Sequence, residues 1–173
     1  MRSGSRRSKL WKNILKKSFV FVFYYCKIVG GKEGSDMEMW KKKNLPKSDA
    51  QQPTEGSNPT CNLRLSQAGY AVDGDKIDQT SYFRDDVFAE CDWTPTENGE
   101  KTEIEVELKI DGESKGNYHL KVTHEPHRES NQDNVTTILH WEEAIPALTE
   151  KDITGMDLTL SREDNGTFGI SID

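Results

Sequence analysis

The chain has 173 residues, of which 33% are hydrophobic and 31% charged, enough for one modest core and too few apolar residues for two large ones. The net charge of −7 conceals a split: through Lys47 thirteen Lys and Arg face three Asp and Glu, and beyond it ten face twenty-seven. An acidic body of that kind excludes nucleic-acid binding spread over its whole surface, because phosphates are drawn to clustered Lys and Arg, although a small local basic site remains compatible with it.

The first segment, 1–43, reads as a basic helix and strand tail. Leu10, Trp11, Ile14 and Leu15 fall at helical spacing among Lys9, Lys12, Lys16 and Lys17. The run Phe19 to Cys26 follows. A signal or anchor is one reading of a charged stretch before an apolar run. No small-residue cleavage site precedes Lys27, and a membrane span needs roughly 20 apolar residues. Aromatic and β-branched enrichment favours a buried strand. One helix and one strand cannot bury each other's apolar faces, so this segment is expected to be a tail or the remnant of an upstream domain.

From Gly30 to Thr60 the chain is polar and rich in breakers, and 44–60 is expected to be a solvated linker or a binding arm. As an arm, Lys47 would meet a phosphate and Gln51 or Gln52 a base edge.

Residues 61–173 are expected to form a β-rich domain. Asn62 to Gln67 alternates and predicts a first strand, and Tyr82 to Phe88 a turn or short helix. The clearest strand runs from Glu103 to Ile110, with Ile104, Val106, Leu108 and Ile110 on one side and charges on the other. Asp111-Gly112 starts a turn, and Tyr118, Leu120 and Val122 mark the return. A long polar loop from His124 to Val135 leads to a strand at Thr136 to Trp141 and a short helical turn at Glu142 to Leu148. The chain closes with a hairpin around Asn165-Gly166. Short strands with long polar loops predict a mostly β fold: an antiparallel open barrel or sandwich with one or two short helices.

Candidate chemistry is sparse. Cys26, Cys61 and Cys91 form no Cys-x-x-Cys pair and read as reduced thiols, which fits a cytoplasmic location. His124-x-x-His127 has a spacing that a metal could use, but no third ligand is near. Asp92 with Glu107-x-Lys109 resembles a metal-dependent nuclease pattern, yet Glu103 and Glu105 share that strand face, as on any solvated edge. The phosphodiesterase motif His-x-Lys-x4-Asp begins at His119-Leu120-Lys121 and fails at Pro126. No catalytic residue, metal or cofactor is therefore expected, and no membrane association. The stretch Arg128, Asn131, Gln132 and Asn134 offers the side chains that read guanine and adenine edges, among the phosphate-repelling Glu125, Glu129 and Asp133.

Three segments together carry a resemblance. They are Leu45 to Gln52 with Asn58-Pro59-Thr60, then Asn62 to Gly69 with Thr80 to Arg84, then His127 to Asn134 with Thr137 to Trp141. The pattern resembles the C-terminal DNA-recognition region of restriction-endonuclease-like proteins whose N-terminal half is a phospholipase-D-type nuclease. The resemblance implies an open pseudobarrel, sequence-specific binding of double-stranded DNA, a nuclease domain or subunit as a partner, and a place in restriction-modification defence. By position it implies one arm of Lys47, Ser48, Gln51 and Gln52 beside Arg64 and Arg84, and another of Arg128, Asn131, Gln132 and Asn134. The nuclease half and its His-x-Lys motif are missing, so cleavage by this chain alone is not expected. The alternative is an acidic β-sandwich that binds a protein partner and no nucleic acid. Charge layout distinguishes them: arginines gathered on one face favour DNA, and arginines scattered among carboxylates favour a protein.

Overall fold

The computed structural model describes residues 36–56, 58–126 and 135–173, which belong to a unit running from Asp36 to Asp173. The apolar run at 19–26 and the loop 127–134 lie outside the described residues. In chain order the strands are β1 Met37–Lys42, β2 Asn62–Leu65, β3 Ala71–Val72, β4 Asp75–Lys76, β5 Thr94–Pro95, β6 Glu100–Ile110, β7 Glu113–Pro126, β8 Val135–His140, β9 Leu158–Arg162 and β10 Phe168–Ile172. A π-helical turn spans Tyr82–Val87, where Phe88 N–H reaches back to Phe83 O at 2.9 Å. A short helix α1, Ile145–Leu148, follows a single turn at Glu142–Ala144 and carries a proline in its first turn, which limits nothing there because those N–H groups lack helical partners anyway.

Alternation in β6 works as its sequence predicts. Thr102, Ile104, Val106, Leu108 and Ile110 are buried, and Glu103 and Glu105 are exposed. Asp111 and Gly112 both take positive φ, 50° and 72°, and make the two-residue turn that returns the chain as β7. The Asn165-Gly166 hairpin joins β9 to β10, with Gly166 at φ 90°.

One curled sheet in the order β1-β9-β10-β6-β7-β8-β2 makes a half-barrel, with β5 added beside β6 and β3–β4 forming a separate small hairpin. The fold is thus mostly β and open-barrel-like, not a two-sheet sandwich. The expected antiparallel arrangement needs one correction, because β10 runs parallel to β6, from Phe168 opposite Val106 to Ile172 opposite Ile110. The β9–β10 hairpin inserts as a unit between β1 and β6, and an alternating strand carries no mark of its neighbour's direction.

The largest difference from the sequence reading lies before Cys61. Met37–Lys42 is not part of a tail but an edge strand paired with β9, and Trp40 is fully buried. Its indole Nε1 donates to Ser66 O at 2.7 Å, just past the opposite edge strand β2, and its ring meets Phe83 edge-on at 5.9 Å. The two sheet edges are therefore joined through a side chain rather than a strand ladder. Leu45 and Ala50 are buried as well, so the segment expected to be a linker contributes to the core.

Candidate nucleic-acid interface

Parity along the strands defines two faces of β2, β8 and β7. Leu63, Leu65, Leu139, Leu120 and Val122 point into the core. Arg64, Thr136, Ile138, His140, Lys121 and Thr123 therefore lie on the opposite face, where Thr136, Ile138 and Thr123 are buried and Arg64, His140 and Lys121 are half-buried. Arg64 Nη2 donates to Thr136 Oγ1 at 3.4 Å, and Thr123 Oγ1 lies 3.1 Å from His140 Nε2. Lys121 pairs with Glu142 at 3.1 Å. The same face of β6 carries Glu103, Glu105 and Glu107 with Lys101 and Lys109, and Glu125 lies on the same face of β7 opposite Thr136.

Register places the two polar connections relative to this face. Residues 53–60 enter β2 at Asn62, opposite His140 at the end of β8. Residues 127–134 enter β8 at Val135, beyond the Leu65–Thr137 pair at the other end of β2. The six residues of β8 span roughly 20 Å, with Arg64 beside Ile138 near their middle.

The octapeptide Leu45 to Gln52 has a different role from the one expected for all its polar residues. Ala50 N donates to Pro46 O at 2.9 Å and Gln52 N to Lys47 O at 3.0 Å, which makes a single helical turn ending at Gln51 with φ 55°. Gln51 is fully buried. Its Nε2 donates to Ser48 O at 3.0 Å and Asn62 O at 2.9 Å, and its Oε1 accepts from Cys61 N–H at 2.8 Å. An amide so engaged cannot reach a base edge, which corrects that expectation for Gln51. Gln52 Nε2 donates to Ala50 O, Leu148 O and Lys151 O at 3.0, 3.1 and 3.2 Å, and ties the turn to α1. Lys47 and Ser48 remain exposed on the outside of the turn. The Asp152 carboxyl nearby is held below its usual range by its hydrogen bonds from Thr154 and, to a lesser degree, by the charge of Lys47.

Arg84 also departs from its expected place beside the arm. It leaves the π-helical turn to meet Glu100 with Nε at 2.7 Å and Nη2 at 3.3 Å, and stacks over Trp93 at 4.8 Å. Trp93 in turn meets His124 edge-on at 6.1 Å, and His124 Nδ1 lies 2.8 Å from Thr137 Oγ1. Burial holds His124 below the usual histidine range. This cluster caps the core at the end of the barrel where β7 stops at Pro126, and composition gave no signal that Trp93 and His124 would join Arg84. Gly99 is needed there, because a Cβ on it would come 2.3 Å from the His124 backbone oxygen.

The other candidates resolve as ordinary structure. Glu107 and Lys109 pair at 3.0 Å, and Ser114 Oγ donates to Glu107 at 3.1 Å. Among the described residues no group of three or more His, Cys, Asp and Glu side chains could hold a metal. Burial pushes the Cys91 thiol up, which favours the unreactive protonated form. Arg128, Asn131, Gln132 and Asn134 lie outside the described residues. Among those described, no helix is long and apolar enough to cross a membrane. No protein-family model and no curated protein matches the chain.

Proposed function

We propose that Asp36–Asp173 is a recognition module for double-stranded DNA, without a catalytic site of its own, of the kind found at the C-terminal end of phospholipase-D-type restriction-endonuclease-like proteins. The observation that carries this reading is the register of β2, β8 and β7, which sets Arg64, His140 and Lys121 on the one non-core face of the sheet. Lys47, Ser48 and Arg64 contact phosphates and set register, and Arg128, Asn131, Gln132 and Asn134 read base edges. Gln51, Gln52 and Arg84 hold the scaffold. The half-barrel agrees with the open pseudobarrel that the sequence resemblance implies, and the acidic remainder confines attraction to this face.

Selection from a random duplex library at low salt is expected to enrich one sequence. Arg64→Ala then weakens all sequences alike and lowers the salt slope by about one unit, whereas Arg128→Ala costs roughly 1–3 kcal/mol and relaxes one position. Failure to enrich any sequence, with and without a supplied nuclease partner, overturns the proposal.

One observation favours the protein-binding alternative. Lys41, Lys42, Arg84, Lys109, Lys115, Lys121, Lys151 and Arg162 each sit in an ion pair with a carboxylate. Six lysines and two arginines paired in this way leave less free positive charge than a large phosphate footprint needs, and a failed selection moves the assignment to that class.

A further inference from the structure

Strand β6 is paired with β7 along its whole length, from Glu100 opposite His124 to Ile110 opposite Glu113. Its other edge is covered in two pieces. β5 pairs at Glu100 and Lys101, and β10 pairs from Val106 to Ile110. Among the described residues no strand covers Thr102, Ile104 or the glutamates beside them, so the sheet has a notch four residues long, about 13 Å. Alternate residues of a strand turn both N–H and C=O to the same side, so half of these residues direct their backbone groups into the notch.

Local chemistry explains why the protein leaves it open. β10 stops at Phe168 because the chain before it must turn: Glu163 N–H donates to Thr167 O at 2.9 Å, and Thr167 N–H is taken by Asn165 Oδ1 at 2.7 Å. On the other side the chain leaves β6 beyond Thr94, and Asp92 O accepts the Thr102 hydroxyl at 3.0 Å. The notch forms the floor of a groove of about 720 Å³ whose rim holds Asp92, Glu103 and Glu105 against Lys101, with Glu90 paired to Arg162 at 2.6 Å.

We infer that this notch is a docking site for an extended, basic peptide segment of a partner protein, which adds a short strand to the free edge of β6. Main-chain hydrogen bonds supply affinity, and the carboxylate rim selects Lys or Arg at alternate positions. The site lies on the edge of β6 turned away from β7, with β7 and β8 between it and Arg64 in the sheet order, and does not depend on the DNA reading. An open edge bordered by carboxylates also resists pairing with a second copy of the same edge, because like charges would face each other.

The test uses the full chain and a capped Lys-Val-Lys-Val-Lys peptide, with two controls. One carries Glu in place of Lys, and the other is N-methylated at alternate amides so that it keeps charge but cannot pair as a strand. Backbone amide NMR is expected to show saturable shifts at Thr102 to Glu105 with the basic peptide and none with the acidic one. N-methylation and the double variant Glu103→Gln, Glu105→Gln are each expected to weaken binding at least about fivefold. Absence of shifts overturns the inference. Equal binding of the N-methylated peptide also overturns it, since charge alone would then account for the attraction, and so does undiminished binding by the double variant.

Discussion

The β6–β7 hairpin and the segment from Met37 to Gln52 make opposite uses of sequence. In the hairpin every second residue of β6 is apolar, the turn is Asp111-Gly112, and the pairing partner is the next strand along the chain. In the earlier segment apolar residues are few, breakers are frequent, and the partners are distant: Trp40 reaches Ser66, and Leu45 exchanges backbone hydrogen bonds with Gly155 and Met156. Both are integral to the core. The comparison teaches that a segment of polar average composition can tie the two edges of a half-barrel together through a few anchors. Trp40, Leu45, Ala50 and Gln51 are all at most 1% exposed, although the residues between them are mostly solvated.

The comparison breaks most sharply on deletion. A fragment that begins at Asp36 is expected to unfold cooperatively in urea, whereas one that begins at Cys61 loses β1, the Trp40 anchor and the Gln51 staple, and is expected not to fold. Burial of a large aromatic alone accounts for about 3–5 kcal/mol, a large fraction of typical domain stability. A stable, cooperative fragment beginning at Cys61 would restore the linker reading.

A smaller effect is expected from Gln51→Ala. That change leaves Cys61 N–H and Asn62 O without their side-chain partner, at a cost of roughly 2–3 kcal/mol in unfolding free energy, read from denaturant titration. A neutral result would mean that the amide is dispensable to the seam and available for other contacts.

The smallest effect concerns pH at the far end of the barrel. His124 is held below its ordinary value by burial, so between its unfolded and folded pKa the unfolded chain binds more protons than the folded one. Stability from this group is complete above the unfolded value near 6.5 and is lost as pH falls toward the folded one. Denaturant titrations at about pH 7 and about pH 5.5 should differ less for His124→Gln than for the parent chain. An unchanged difference would show that other groups carry the acid sensitivity.

These contrasts bear on how much of the candidate site was legible. Arg64 was named only through the resemblance, although its position on the non-core side of β2 follows from the alternation of Asn62 to Gln67, because strand parity is a local property. Gln51 and Gln52 carried the same hydrogen-bonding groups as a base reader, and nothing in residue type distinguishes an amide aimed at solvent from one that satisfies buried carbonyls. Arg84 was taken for a free cation because its partner, Glu100, lies sixteen residues away across a turn. The acidic notch left no trace in the sequence, since it arises from where two other strands stop.

The sequence by itself determined the class of fold, the β6–β7 and β9–β10 hairpins and the charge division between head and body, because turn chemistry, period-two burial and composition all act over a few neighbouring residues. Tertiary structure alone decided the parallel insertion of β10, the tying of the half-barrel's edges by Trp40, and the gap at Thr102 to Glu105 among the described strands. Each depends on which distant backbone groups are left unpaired when the strands assemble, and a buried hydrogen-bonding group that lacks a neighbour must find its partner wherever the fold brings one.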